Sequence, residues 1–247
     1  KEYLTLVRFS LLVESIFAVI QASRILTFMN LSYSDVIDKT SVTAKTMYKE
    51  DTNVFAYYLL TASFISCSEI SHNSAEWQIE TYSSAAPSYI GDFATVIGGN
   101  GEILREGTNG WICQQGNPRP YPKDGWKSAH EAMPACHDEE GMKWMMAYAE
   151  GKAPNLSRDT YMWMLHGDVG EDNLVPGVLN ESDSTPGQWI ESGPHLMLMP
   201  KDPDSLKNFT TDFTKGEPYV MFPGTVYAHL MIPVEGYYDY QPSAKPD

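Results

Sequence analysis

Residues 219–232 read Tyr219-Val-Met-Phe222, Pro223-Gly224, Thr225, then Val226-Tyr-Ala-His-Leu-Met-Ile232. Two runs of β-branched, aromatic and other apolar residues flank a Pro-Gly pair that suits the centre of a type II turn. The segment is therefore expected to be a β-hairpin. Side chains two apart on a strand share a face, which puts Tyr227, His229 and Met231 together. The same pattern recurs upstream. His195-Leu-Met-Leu-Met199 places His195, Met197 and Met199 on one face, and Tyr161-Met-Trp-Met-Leu-His166 places Met162, Met164 and His166 on one face.

Further towards the N-terminus, Asp138 to Glu150 reads as a helix. Asp138 suits the N-cap, Glu139 and Glu140 favour the positive end of the dipole, and Gly151 ends it. Met142, Met145, Met146 and Ala149, at i, i+3, i+4 and i+7, predict its buried stripe. Before it, Phe93–Ile97, Glu102–Arg105 and Trp111–Gln115 are separated by Gly98-Gly-Asn-Gly101 and Gly107-Thr-Asn-Gly110, and read as a three-strand meander. Residues 75–92 read as a lead-in segment, while 116–135 and 167–188 read as long loops. Short turns between strands favour antiparallel pairing. The expected fold class is α+β: a mainly antiparallel sheet, one principal helix at about 138–150, and long irregular loops.

Residues 75–240 are expected to form a single globular domain, with 241–247 a loose tail and 1–74 outside the fold. Within 1–74, Lys49, the uncharged apolar run 54–66 and a polar exit have the order of a secretory signal peptide. Phe64-Ile-Ser-Cys67 resembles a bacterial lipobox, with Phe64 in the usual Leu position. The stretch 47–67 is thus read as signal peptide or lipobox, residues 1–46 as upstream sequence, and 68–74 as linker. An exported or lipid-anchored, extracytoplasmic product is expected, with the membrane touched only through that peptide or anchor. Cysteine use agrees: with Cys67 consumed by processing, Cys113 and Cys136 remain as a pair, and pairs in oxidising compartments bridge.

The net charge of −15 arises entirely from residues 68–247, because residues 1–67 carry six basic and six acidic side chains. An acidic domain without a Lys/Arg cluster repels phosphate backbones, which argues against nucleic-acid binding. G-x-S-x-G, H-E-x-x-H, the Walker loop, G-x-G-x-x-G and C-x-x-C are all missing from the sequence, removing the commonest hydrolase, zincin, nucleotide and thiol-redox signatures.

Three constellations carry candidate chemistry. If the His-x-Met strands neighbour each other, imidazoles and thioethers converge in a set that suits copper, with haem iron the alternative and zinc a further candidate. The candidate ligand-binding residues are His195, His229, Tyr227, Met197, Met231 and His166, and His195 and His229 are the candidate metal ligands. The alternative is that Met and His simply fill a sheet core. The second constellation, His130, Cys136, His137, Asp138, Glu139 and Glu140, has zinc-ligand chemistry, against which stand the expected disulfide and cap. The third, Asp168, Glu171, Asp172, Asn173 and Asp183, is oxygen-rich as calcium loops are, without EF-hand spacing, and reads as a solvated acidic loop.

Gly101-Glu-Ile-Leu-Arg-Glu-Gly-Thr-Asn-Gly-Trp-Ile-Cys113, Gly193-Pro-His-Leu-Met197 and Pro223-Gly-Thr-Val-Tyr-Ala-His-Leu-Met-Ile-Pro233 resemble segments of a family of uncharacterised exported bacterial proteins, over about residues 75–235. That resemblance implies a single exported domain and transfers no catalytic residue. The expected function is small-ligand binding near His195 and His229. An enzyme or a copper- or zinc-binding protein using the same imidazoles, or a structural module of the cell envelope, are the competing classes.

Overall fold

The structure, a computed structural model, describes residues 71–246; the expected signal peptide, lipobox and upstream segment lie outside them. Eight strands form one mixed sheet: β1 (Thr95–Ile97), β2 (Ile103–Arg105), β3 (Ile112–Gln114), β4 (Ala135–His137), β5 (Thr160–Met164), β8 (His195–Met199), β9 (Tyr219–Met221) and β10 (His229–Pro233). Across the sheet they lie in the order β2-β1-β3-β4-β5-β8-β10-β9. A second sheet pairs β6 (Glu171–Asp172) with β7 (Trp189–Ile190). The helices are α1 (Ala75–Ser83), α2 (Ser88–Gly91), α3 (Ala129–Ala132) and α4 (Glu139–Ala149). The fold is α+β and dominated by its sheet.

The C-terminal hairpin forms as its turn residues dictate. Thr225 N–H donates to Phe222 O at 3.2 Å, and Gly224 takes φ +74°, the conformation a type II turn demands at that place. The N-terminal strands depart from a meander. β2 pairs back on β1, but β3 lies on the other side of β1 and runs parallel to it. The crossing passes through Gly107, where a Cβ would sit 2.1 Å from Thr95 N, so only glycine lets the chain pass under the start of β1. Thr108 N–H donates to Phe93 O (2.8 Å) and Thr95 N–H to Trp111 O (2.9 Å), which hold the crossing shut.

Helix α4 starts as expected. Asp138 Oδ1 accepts from Gly141 N–H at 2.9 Å and from Thr160 Oγ1 at 2.6 Å, joining the cap to β5. Its buried stripe is not the expected one. Met146 is 54% exposed, while Gly141 and Trp144 are buried and Met145 and Tyr148 pack on the core. Gly141 is the cause: a Cβ there would lie 2.6 Å from His137 Cβ, so this face approaches β4 more closely than any other residue permits. Nor is α4 alone. Residues 75–83, which read as a lead-in, form α1, capped by Ser74 Oγ accepting from Trp77 N–H at 3.2 Å. The C-terminal stretch expected to be loose is docked as well. Ala244 is buried, and the Gln241 side chain accepts from Glu191 N–H at 2.8 Å.

Register sorts the side chains into two faces. His137, Met162, Met197, Met231 and Tyr219 are successive partners across β4, β5, β8, β10 and β9 and share the face covered by α4. The opposite face carries Val96, Cys113 and Cys136 against Tyr82 and Ala85, near α1, and Leu198, Val220, Leu230 and Ile232 around Leu206. Cys113 and Cys136 are directly opposed on β3 and β4 and are bridged. No described helix is long and apolar enough to cross a membrane; together with the disulfide this is compatible with an extracytoplasmic domain.

Candidate functional site

A cavity of about 240 Å³ lies between α4 and the sheet. Its floor is the face just described: Met162 and Met164 from β5, His195 and Met197 from β8, and His229 and Met231 from β10. Trp144, Met145 and Tyr148 of α4 form its roof, and Met221 and Phe222 close one side. Met133 lines it too, so seven of the chain's twelve methionines border this one space. The opposite faces of the same strands carry Tyr161, Trp163, Leu196, Leu198, Leu230, Ile232 and Val220 instead. Leucine and valine would pack a sheet floor as well or better, so thioethers are concentrated on the cavity side alone.

Both candidate imidazoles are held in one tautomer. His195 Nδ1 donates to Gly193 O at 2.7 Å and His229 Nδ1 donates to Tyr227 O at 2.9 Å, leaving each Nε2 as a lone-pair acceptor. Gly193 fits because its Cα packs on the Tyr237 carbonyl, where a Cβ would come within 2.4 Å. His195 is wholly buried, and its Nε2 has no hydrogen-bond partner. The His229 ring stands edge-on to Trp144, with centroids 5.3 Å apart, and to Phe222, at 5.4 Å. Burial pushes both imidazoles down to about 4. For His195, the Gly193 carbonyl opposes that trend and His229 adds to it.

The two histidines do sit on neighbouring strands with one face in common. They are not opposed to each other: His195 faces Met164 on β5 and Pro233 on β10, whereas His229 faces Met221 on β9. Four positions separate His229 from Pro233, roughly 13 Å along a strand. The Met162–Met197–Met231 row therefore lies between them. Among the described residues no three His, Cys, Asp or Glu side chains are placed to share a metal ion.

Two carboxyls complete the site, although their stretch of sequence reads as a solvated loop. Asp168 lines the cavity; its Oδ1 accepts from Gly170 N–H (3.0 Å) and Ser192 N–H (3.3 Å). Burial pushes it up to about 6, and those two hydrogen bonds restrain the rise. Glu171, half-buried beside it, is pushed up to about 7 by burial, against a hydrogen bond donated by Tyr148 Oη to its Oε1. Their neighbours in sequence go elsewhere. Asp172 Oδ1 accepts from Leu174 and Val175 N–H, and buried Asn173 donates to Gln188 Oε1 and Thr211 O. The calcium-like set is thus split by β6, whose alternation sends Glu171 and Asp172 to opposite sides. That Asp168 and Glu171 come just after a buried strand ending near Gly167 is the only sequence signal pointing inward.

Other expected residues fall outside. His166 does not continue β5, because the chain turns there: Gly167 N–H donates to Met164 O at 3.0 Å, with φ +66° at Gly167. Its Nε2 instead lies 2.8 Å from Ser84 Oγ, and its carbonyl accepts from His130 Nδ1 at 2.8 Å. Tyr227 packs edge-on against the roof residues Trp144 and Tyr148 while its hydroxyl donates to Lys152 O at 2.9 Å. The zinc-like group disperses: Cys136 is in the disulfide, Asp138 caps α4, and Glu140 accepts from Lys143 Nζ (2.5 Å) and Ser157 N–H (2.7 Å). His137 Nε2 accepts from Gln114 Nε2 at 3.2 Å and is thereby satisfied.

No protein-family model, curated protein sequence or solved structure matches this chain. The functional reading therefore rests on the cavity itself.

Proposed function

We propose that the chain is an exported or lipid-anchored domain that binds a small ligand in the cavity beneath α4, using His195 Nε2 as its polar anchor. One observation carries this reading: a fully buried imidazole acceptor without a partner belongs to a residue that lines a space large enough for a ligand. Leaving such an acceptor unsatisfied costs about 1–3 kcal/mol, which folding tolerates where a ligand recovers it. The thioether walls supply a polarizable, adaptable lining. The extracytoplasmic location is supported by the Cys113–Cys136 bridge and by the signal-like stretch 47–67.

A second reading, an enzyme, is favoured by Glu171. Of the five titratable groups on the cavity, with Tyr148 held above its ordinary value by burial, it alone sits near neutrality, so it, and not an imidazole held near 4, would be the proton donor. The binding reading needs no such transfer.

Paired probes test the anchor. p-Cresol presents a hydroxyl donor to His195 Nε2; toluene has the same body without it. Calorimetry should show p-cresol bound about tenfold more tightly than toluene, and His195→Leu should abolish the preference, since one hydrogen bond to a desolvated acceptor is worth about 1 kcal/mol or more. If neither probe binds, or both bind alike to the native protein, the cavity is not a site anchored at His195.

A further inference from the structure

Which ligand the anchor takes depends on what surrounds it. The register sets Met164 directly opposite His195 on the neighbouring strand, and Met197 lies two residues further along the same face. Opposed side chains on one sheet face have Cβ atoms about 4.5–5.5 Å apart, and a methionine sulfur reaches well beyond its Cβ. His195 Nε2 is thus a buried, unprotonated, unpartnered nitrogen donor flanked by thioethers. Its Nδ1–H is held by a backbone carbonyl, the outer-shell arrangement that orients imidazole ligands. Thiolates are missing from this set, since Cys113 and Cys136 are bridged on the other face. Without a third His, Cys, Asp or Glu to join the imidazole, neither zinc nor calcium finds its usual complement among the described residues.

Soft, neutral sulfur with one imidazole nitrogen is the donor class that selects Cu(I). Building on the small-ligand reading, we propose that this cavity binds Cu(I) through His195 Nε2 and the thioethers of Met164 and Met197. The presence of Met164 and Met197 on the cavity side, where the reverse face of β8 carries Leu196 and Leu198, is accounted for by this role. Binding is simple ligation: these donors are already unprotonated, and neither a proton nor an electron is transferred.

The test uses the full chain under strictly anaerobic conditions. Cu(I) is titrated in competition with bicinchoninate, with Ag(I) as a redox-inert surrogate and Zn(II) as the contrasting ion. The native protein should take Cu(I) and Ag(I) from the chelator and leave Zn(II), and the copper K-edge spectrum should show sulfur and nitrogen scatterers. Met164→Leu with Met197→Leu keeps side-chain volume and apolarity but removes both sulfurs. It should weaken Cu(I) retention by more than the roughly 10–100-fold that loss of an outer-shell partner costs, while its urea unfolding midpoint stays close to that of the native protein. Copper retained undiminished by this variant, through Cys67 or elsewhere, would overturn the proposal, as would no retention by the native protein or equal retention of Zn(II). If copper binding fails while p-cresol still binds, the small-ligand reading stands; if both fail, that reading falls too.

Discussion

Replacing Asp168 by Asn should stabilise the protein at neutral pH. The carboxyl is 6% exposed and pushed from 3.8 up to about 6, chiefly by burial. Because its folded-state value is raised, Asp168 favours the folded state fully below about pH 3.8, and that contribution is lost as the pH rises through about 6. At pH 8 the native fold therefore holds a carboxylate that the unfolded chain would hold more cheaply. The difference is up to about 3 kcal/mol, at about 1.4 kcal/mol per pH unit. Asn keeps the acceptor that Oδ1 offers to Gly170 and Ser192 N–H and never ionises. The variant should gain up to about 3 kcal/mol over the native protein at pH 8 and nothing at pH 3.5. His195 and His229 run the other way: with folded values lowered to about 4, they contribute stability above about pH 6.5 that is lost as the pH falls towards 4. In the native protein the two trends oppose each other across this window, so Asp168→Asn should also show a steeper loss of stability on acidification from pH 6.5 to 4. Urea unfolding monitored by tryptophan fluorescence at pH 3.5, 5, 6.5 and 8 measures both effects. A variant destabilised equally at every pH would show that Asp168 serves packing alone and that its burial carries no electrostatic cost. A stabilising substitution on a cavity wall is what a site selected for function predicts.

Gly141→Ala should cost about 1–3 kcal/mol, read as a fall in Tm, because the new methyl meets His137 Cβ and pushes α4 off β4. Loss of cavity-probe binding should accompany it, since α4 is the roof; an unchanged Tm would mean the helix does not press on the sheet there. Replacing Cys113 and Cys136 together by Ala should cost about 3 kcal/mol, from the loop-closure entropy of a 23-residue separation. Urea unfolding of that variant checks the magnitude, and thiol titration of the oxidised native protein should find neither cysteine reactive.

Local pieces and the outline of the site are legible in the chain before it folds. Pro223-Gly224 fixes a hairpin because glycine accepts positive φ, and Asp138 starts α4 because its carboxylate satisfies an unpaired N–H. Period-two alternation puts His195 and Met197, or His229 and Met231, on one face whatever the sheet order. The Cys113–Cys136 pairing is readable only once Cys67 is set aside by the lipobox-like stretch around it, since three cysteines alone leave three pairings open. How faces meet was settled only by packing. Gly107 reads as a turn residue, yet its use in passing beneath β1 depends on backbone it touches only after folding. Gly141 turns α4 so that Trp144 and Tyr148, not Met142 and Met146, cover the methionine floor, since the closest approach between helix and sheet goes to the residue without a side chain. Asp168 and Glu171 look solvated in sequence because charge marks surface on average; their burial comes from where the β5 turn and β6 carry the chain, into the lining of the cavity. Periodicity is a property of one segment, whereas a pocket belongs to several segments at once, and its polar groups take their character from neighbours remote in the chain.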